Sequence, residues 1–347
     1  MTKLVVSIQK HWLEITIVAL LLLTFGTVRM VTASQQQTII FDEAYWVPDA
    51  IIARAEHIDP EPAQPPLVVA IMEEGENLFG NNFAGWRFFS VIAGTLGLLF
   101  FYLICRKLAL SILPSLISTG LMGISSLYWF YAGHGLSDIF LVVFSMAGLL
   151  CYLQFRDYKA GIAAGAATAA KIMGALSVWT LMILALFEGK IKLVFQIMLA
   201  SIAGYFIICE LAYIFINHTF INVFLETYKV LLYTAGAFNL SGVWESPFMW
   251  FIKYRVGLYT DGTLMGFQYV IWLCVLPLML YALWRAIHGN LTGKVVVSWM
   301  IGFYFTWCLV SGVIGRGSYY YYELMLFPAV YLAMGLALDK LWRFTNI

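Results

Sequence analysis

The stretch Phe41-Asp-Glu-Ala-Tyr-Trp46 places two adjacent carboxylates, Asp42 and Glu43, directly after a long apolar run. A carboxylate at a membrane surface can take the proton of a hydroxyl as that hydroxyl attacks an electrophilic carbon. Lys171, Arg255 and Arg316 are cations further along the chain, on the same side as this pair in the topology read below. Arg matches phosphate oxygens in a planar fork and Lys serves as a point charge, so these residues suit a leaving group that gains negative charge. Asp138 opens one apolar run, His134 precedes it, and Gln64 lies in a proline-rich stretch. Trp244, Tyr320 and Tyr322 are flat surfaces on which a sugar or an acceptor can stack.

The alternative reading of each residue is structural. An acid pair can be a charged helix start, and Asp138 can cap the helix that begins at Ser137. Lys171 and Glu210 lie inside apolar runs, where an ionisable group is costly and is read as functional by default. Tyrosines 319–322 can form an interfacial belt, and Trp250 can be packing. His57, His134 and His218 share one side of the chain with several carboxylates but lack close ligand spacing. A divalent metal is left open and no cofactor is assigned.

The elements that carry these residues follow from composition. Of 347 residues, 62% are hydrophobic and 11% are charged, against about 25% charged in an ordinary soluble domain. Apolar runs recur near the ~20 residues that cross a bilayer as a helix. The chain reads as an all-α polytopic membrane protein. A net charge of +1 gives no sign of a nucleic-acid partner. The five cysteines fall inside apolar runs, as packing residues do. The N-terminal run is too long for a signal-peptide core and reads as a retained first helix.

Helices are expected near 12–32, 86–105, 108–128, 138–155, 160–187, 193–216, 266–285, 295–314 and 319–339. Lys159 precedes the 160–187 run and Lys190 follows it, so both its ends are expected on the cytosolic side. It is therefore read as a hairpin of two short helices with its apex near Lys171. This yields about ten membrane segments with both termini inside, as a single domain over 1–347. Two long loops, about 33–85 and 217–265, lie outside. The first should hold two interfacial helices, separated by the prolines of Asp59–Leu67. Tyr45, Ile51, Ile52 and Ala55 are expected to form the apolar face of the first. Gly161 and Gly165 form a small-xxx-small pair that suits close helix packing.

Several motifs, in order, resemble one family. They are FDEAYW, QPPL, WRFFSVIAGTLGLLFFYLICRKL, SDIFLVVFSMAGLL, GAATAAKIMGAL, ESPFMWFI and RGSYYYYELMLFPAVYLAMGLAL. The order is similar to that of the dolichyl-phosphate-mannose protein mannosyltransferases and of the bacterial lipid A aminoarabinose transferase. Both are polyprenyl-phosphate-sugar-dependent glycosyltransferases of the GT-C fold. The resemblance runs from about residue 12 to 340. It implies Asp42 as general base, with Glu43 positioning the acceptor or Asp42 itself. It implies Lys171, Arg316, Arg255, Asp138, His134 and Gln64 around the donor phosphate and sugar, and Trp244, Tyr320 and Tyr322 against acceptor or sugar. Two positions depart from the pattern. Gln64 stands where the family has His or Lys, and Gly133 where it has Arg.

The implied reaction transfers a sugar, with inversion, from a polyprenyl-phosphate donor to a hydroxyl of a protein, glycan or lipid. The implied setting is the outer face of a prokaryotic cell membrane, with membrane lipids as neighbours and dimerisation left open. Arg87 reads equally well as an interface anchor. The rival readings are a catalytically inactive subunit of the same fold and a membrane transporter. A transporter leaves the long acidic outer loop unexplained.

Overall fold

A computed structural model describes residues 2–236, 247, 250, 265–315 and 317–345. These residues are helical, with no strand among them. Six helices are long and apolar enough to cross a membrane: Trp12–Gln35, Phe83–Lys107, Ser137–Phe155, Ile191–Asn217, Leu291–Val313 and Tyr321–Thr345. Shorter apolar helices cover Ile112–Gly123, Ile172–Phe187 and Leu273–Ile287.

Helix α1 (Thr2–Gln35) packs on α4 (Phe83–Lys107), and α4 packs on α7 (Ser137–Phe155). Helix α7 contacts α8 (Lys159–Ala170), which in turn lies along α10 (Ile191–Asn217). Gly161 and Gly165 explain the last contact. A Cβ on Gly161 would lie 2.4 Å from the Ile197 carbonyl oxygen, and one on Gly165 would lie 2.5 Å from that of Ser201. With little hydrophobic force between helices in lipid, such close backbone approach supplies the packing energy. Gly165→Val should separate α8 from α10 and cost about 1–3 kcal/mol as overpacking, read as a lower thermal midpoint in detergent.

The run 160–187 is indeed broken at Lys171. Lys171 is extended (φ −159°, ψ 133°) between α8 and a 3₁₀ turn at Ile172–Gly174, after which α9 covers Ala175–Phe187. Glu188, just past α9, ties the end of that helix to the end of α7, which α8 directly follows. It accepts from Tyr152 Oη at 2.6 Å and Lys190 Nζ at 2.8 Å, and it pairs with Arg156. The start of α8 and the end of α9 therefore lie at one end of the bundle, with Lys171 toward the other.

Three elements differ from expectation. The expected 108–128 helix is two pieces, α5 (Ile112–Gly123) and α6 (Ser126–Tyr131), because the chain turns at Ile124–Ser125. The last helix, α15 (Phe327–Thr345), follows a 3₁₀ segment at Tyr320–Leu326, and Pro328 sits in its first turn, where a missing N–H costs nothing. The two loop helices are present as α2 (Glu43–Glu56) and α3 (Leu67–Phe79). The buried face of α2 is Trp46, Val47, Ala50 and Ala53, however, while Tyr45 is 68% exposed. That four-residue spacing is the helical period, and α3 covers it. The remaining helices are α11 (Val223–Gly236), α12 (Met265–Ile287), α13 (Leu291–Trp299) and α14 (Thr306–Ile314).

Candidate active site

Asp42 ends the connection from α1 and sits at the N-cap of α2. Its backbone carbonyl accepts from Trp46 N at 3.0 Å. The preceding residue, Phe41, has φ 55°, a left-handed conformation that a bulky side chain adopts only when its surroundings require it. The Phe41 ring meets Tyr321 edge-on at 5.0 Å. This sharp entry sends the two carboxylates different ways.

Asp42 lines a cavity of about 430 Å³ together with Tyr45, Asp49, Glu61, Gln64, Ser137 and Lys171. Glu43 is fully buried and turned away from it. Arg87, also with no exposure, binds Glu43 in a two-point fork, Nε to Oε1 at 2.7 Å and Nη2 to Oε2 at 2.6 Å. Arg87 also donates to the carbonyls of Ala33, Gln36 and Thr38 at 2.7–2.9 Å. Glu43 further accepts from Gly135 N at 2.8 Å and Ile40 N at 3.1 Å. Arg87 is thus the keystone of the first loop. The two-residue setting Trp86-Arg87 at the mouth of a span carried no signal of that. Only a search for a cation opposite the Asp42-Glu43 pair would have found it.

Lys171 enters the cavity from the break between α8 and α9. Its Nζ lies 2.9 and 2.8 Å from the two carboxylate oxygens of Asp138, and over the rings of Tyr321 and Tyr322 at 5.7 and 5.5 Å. The N-cap of α7 is Leu136 and makes no side-chain cap bond, so Asp138 serves Lys171 rather than the helix end. Gln64 Oε1 accepts from Ile172 N at 3.3 Å and ties the proline-rich loop to the same break. The proximity of Asp42 and Lys171 is electrostatic as well as geometric. Burial raises the Asp42 carboxyl to about 6, against the lowering effect of Lys171 and with a further rise from Asp138. Such a group is ionised at neutral pH yet basic enough to take a proton.

Tyr321 and Tyr322 lie behind Lys171 and do not belong to an exposed belt. Tyr321 and Tyr322 are buried, and Tyr319 stacks on Tyr321 at 5.3 Å. Sequence reasoning named Tyr322 and missed Tyr321, whose ring carries the contact to Phe41. Trp250 is 2% exposed and packs near Tyr304 and Tyr322. Glu210 Oε1 accepts from Ile221 N at 3.3 Å and so closes the turn after α10. His134 is buried away from the cavity, with Nδ1 2.8 Å from the Phe130 carbonyl and Nε2 2.9 Å from the Gln36 side chain. Arg255, Arg316 and Trp244 lie outside the described residues, as does the side chain of Tyr320. His57 and His218 come together with ring centroids 4.3 Å apart. No group of three or more metal-ligating side chains occurs among the described residues.

Asp49 and Glu61 are neighbouring carboxyls that both line the cavity. Burial raises both, Glu61 to about 7, and raises nearby Asp59 to about 7. Carboxyls held above their unfolded values contribute stability fully at low pH and lose it as pH rises through their folded values. Hydrogen exchange across residues 57–64, corrected for intrinsic rate, should therefore be slower at about pH 5.5 than at about pH 8, and Glu61→Gln should flatten that difference.

The chain superposes on a solved fold over most of its length. ArnT from Cupriavidus metallidurans in the apo state superposes with a TM-score of 0.59, over 93% of this chain and 59% of that one, at 17% identity. The chain has the ArnT fold. ArnT bound to undecaprenyl phosphate superposes with a TM-score of 0.58, over 93% of this chain and 60% of that one, also at 17% identity. This is the GT-C arrangement that the sequence resemblance implied. In sequence, the polyprenol-phosphate-mannose–protein mannosyltransferase of Mycolicibacterium smegmatis is 29% identical over 126 residues, 35% of this chain and 24% of that protein. The chain thus spans under two thirds of ArnT and about a quarter of the mannosyltransferase. No protein-family model matches it.

Proposed function

We propose that the chain is a membrane glycosyltransferase that moves a sugar from a polyprenyl-phosphate donor to a hydroxyl acceptor, with inversion, on the outer face of a cell membrane. The observation that carries this reading is the convergence of Asp42 and Lys171 on one cavity. Asp42 takes the proton of the acceptor hydroxyl as its oxygen bonds to C1 of the sugar. The bond from C1 to the phosphate oxygen breaks on the opposite face, and its electron pair leaves with the lipid phosphate. Lys171 offsets the charge that grows there. Before donor binds, Asp138 holds Lys171 in place.

The likeness to ArnT, solved with undecaprenyl phosphate, and to a polyprenol-phosphate-mannose–protein mannosyltransferase supports a sugar donor carried on a polyprenyl phosphate. Protein Ser/Thr, glycan and lipid acceptors all fit the same chemistry. Beside the six long helices, the short apolar helices Ile112–Gly123, Ile172–Phe187 and Leu273–Ile287 support the reading of a many-spanning bundle.

The test is transfer of labelled mannose from a synthetic polyprenyl-phosphate donor by the purified protein, beside donor-binding measurements. Wild-type transfer is expected. Donor binding without transfer would favour the inactive-subunit reading, and neither would remove the proposal. Lys171→Gln should weaken donor binding and slow turnover, since it removes the cation beside the departing phosphate. Unchanged donor affinity in that variant would take Lys171 out of the site. The side of the membrane is checked with single cysteines. One at Asn77, exposed on α3, should react with an impermeant reagent from outside, and one at Gly289 should not.

A further inference from the structure

Position 133, where the resemblance expects arginine, is glycine here, and the space beside it is filled from another helix. A Cβ built on Gly133 would lie 1.8 Å from Cζ of Arg29. Arg29 projects from α1 and is 3% exposed. Its Nη1 donates to Thr32 Oγ1 at 2.9 Å, its Nη2 donates to the Phe130 carbonyl at 3.3 Å and lies 3.4 Å from His134 Nδ1, and its guanidinium covers the Trp129 ring at 5.2 Å. A guanidinium near the end of an apolar span is costly, and such residues face the bundle interior for a reason.

The turn that Arg29 grips is short, and both of its ends reach the candidate site. Gly133 and His134 face Arg29. Gly135, next in the chain, donates its N–H to Glu43. Two residues further, Ser137 opens α7 and presents Asp138 to Lys171. A second path runs through His134 Nε2 to the Gln36 side chain, and the Gln36 carbonyl accepts from Arg87. His134 Nδ1 faces the Phe130 carbonyl and Nε2 faces the Gln36 side-chain oxygen, so the ring bridges the gripped turn and the end of the α1 connection. Burial holds His134 down to about 4, with Arg87 and Arg29 adding to the effect.

We propose that Arg29 is a positioning residue for the transfer reaction: it fills the space that glycine at 133 leaves and fixes the 133–135 turn so that Glu43 and Asp138 keep Asp42 and Lys171 in register. This rests on the transferase reading above. Glycine at 133 is then the complement of Arg29 rather than a lost function.

The experiment exchanges the two residues. Arg29→Gln should lower kcat by about 10²-fold, the order expected when a remote change displaces catalytic groups by about 1 Å, while donor affinity stays within about twofold. Gly133→Arg alone should fail to fold stably, since two guanidinium groups would compete for one space. The double variant Arg29→Gly with Gly133→Arg should recover most of the turnover. Arg29→Lys, which keeps the charge and loses the fork, is the variant to use if Arg29→Gln does not fold, and it should also lose turnover. Wild-type kcat in either single variant at position 29 would overturn the proposal, as would a folded exchange variant that binds donor but stays slow. Histidine NMR gives a readout independent of activity, because loss of the Arg29 cation should raise the His134 titration. An unmoved His134 would break the link, whereas a wild-type protein that transfers no sugar would count against the transferase reading instead.

Discussion

Asp42→Asn should fold, bind donor with near wild-type affinity, and turn over about 10² to 10⁴ times more slowly, the factor that a positioned base contributes. Asparagine keeps the size and the cap position, so the cavity and the Phe41 turn persist. What disappears is a carboxylate that burial has made more basic than usual. The same group predicts a pH profile. Asp42 must be ionised to accept a proton, so kcat/KM in the wild type should fall as pH drops through about 6, and the fall should vanish in Asp42→Asn. Near wild-type turnover in the variant would return Asp42 to the reading of a charged helix start. An acid limb near 4 would show that the carboxyl is not held as this cavity holds it.

Breaking the Glu43–Arg87 pair should be the largest stability effect in the molecule. Both side chains are fully buried, and removal of one partner from a buried ion pair costs about 3–5 kcal/mol because the other is left as an uncompensated charge. Arg87→Met leaves Glu43 with the amides of Gly135 and Ile40 alone, and releases the carbonyls of Ala33, Gln36 and Thr38 from their donor. Glu43→Gln removes the charge but keeps the amide contacts, so it should be the milder of the two. The double variant should recover part of the loss, and a double-mutant cycle on thermal midpoints reads the coupling. Additive losses would mean that the two side chains act separately. Glu43 is buried and has no face on the cavity, which supports the proposal that it positions Asp42 rather than the acceptor.

The parts legible in the sequence were those with a period or a charge rule behind them. Apolar length gave most of the spans, and the lysines at 159 and 190 gave the break at Lys171. The prolines between Asp59 and Leu67 marked the gap between α2 and α3. The buried face of α2 was misjudged because Tyr45, Ile51 and Ile52 are apolar by type, while smaller Ala50 and Ala53 are what α3 can approach. Long-range pairing was the illegible part. Arg87 to Glu43 spans 44 positions and Arg29 to His134 spans 105, and no local pattern encodes such a partner. The same holds for Asp138, where cap and ion pair look alike until the position of Lys171 is known.

The clamp at Glu188 has a consequence for how the chain enters the bilayer. Helix α8 has 12 residues, about 18 Å at 1.5 Å per residue, well short of a ~30 Å hydrocarbon core. Neither α8 nor α9 is a competent insertion segment alone, so the translocon must release them as one folded-back unit. That unit carries a lysine at its tip, which must pass the bilayer centre, where a cation costs the translocon roughly 2.5–3.5 kcal/mol. Helix α7 is synthesised first and already presents Asp138, so the counter-ion is in the membrane before the lysine arrives. Biogenesis would then depend on the same pair as the proposed chemistry, and a substitution at Asp138 should appear first as a chain that fails to insert its hairpin and is degraded.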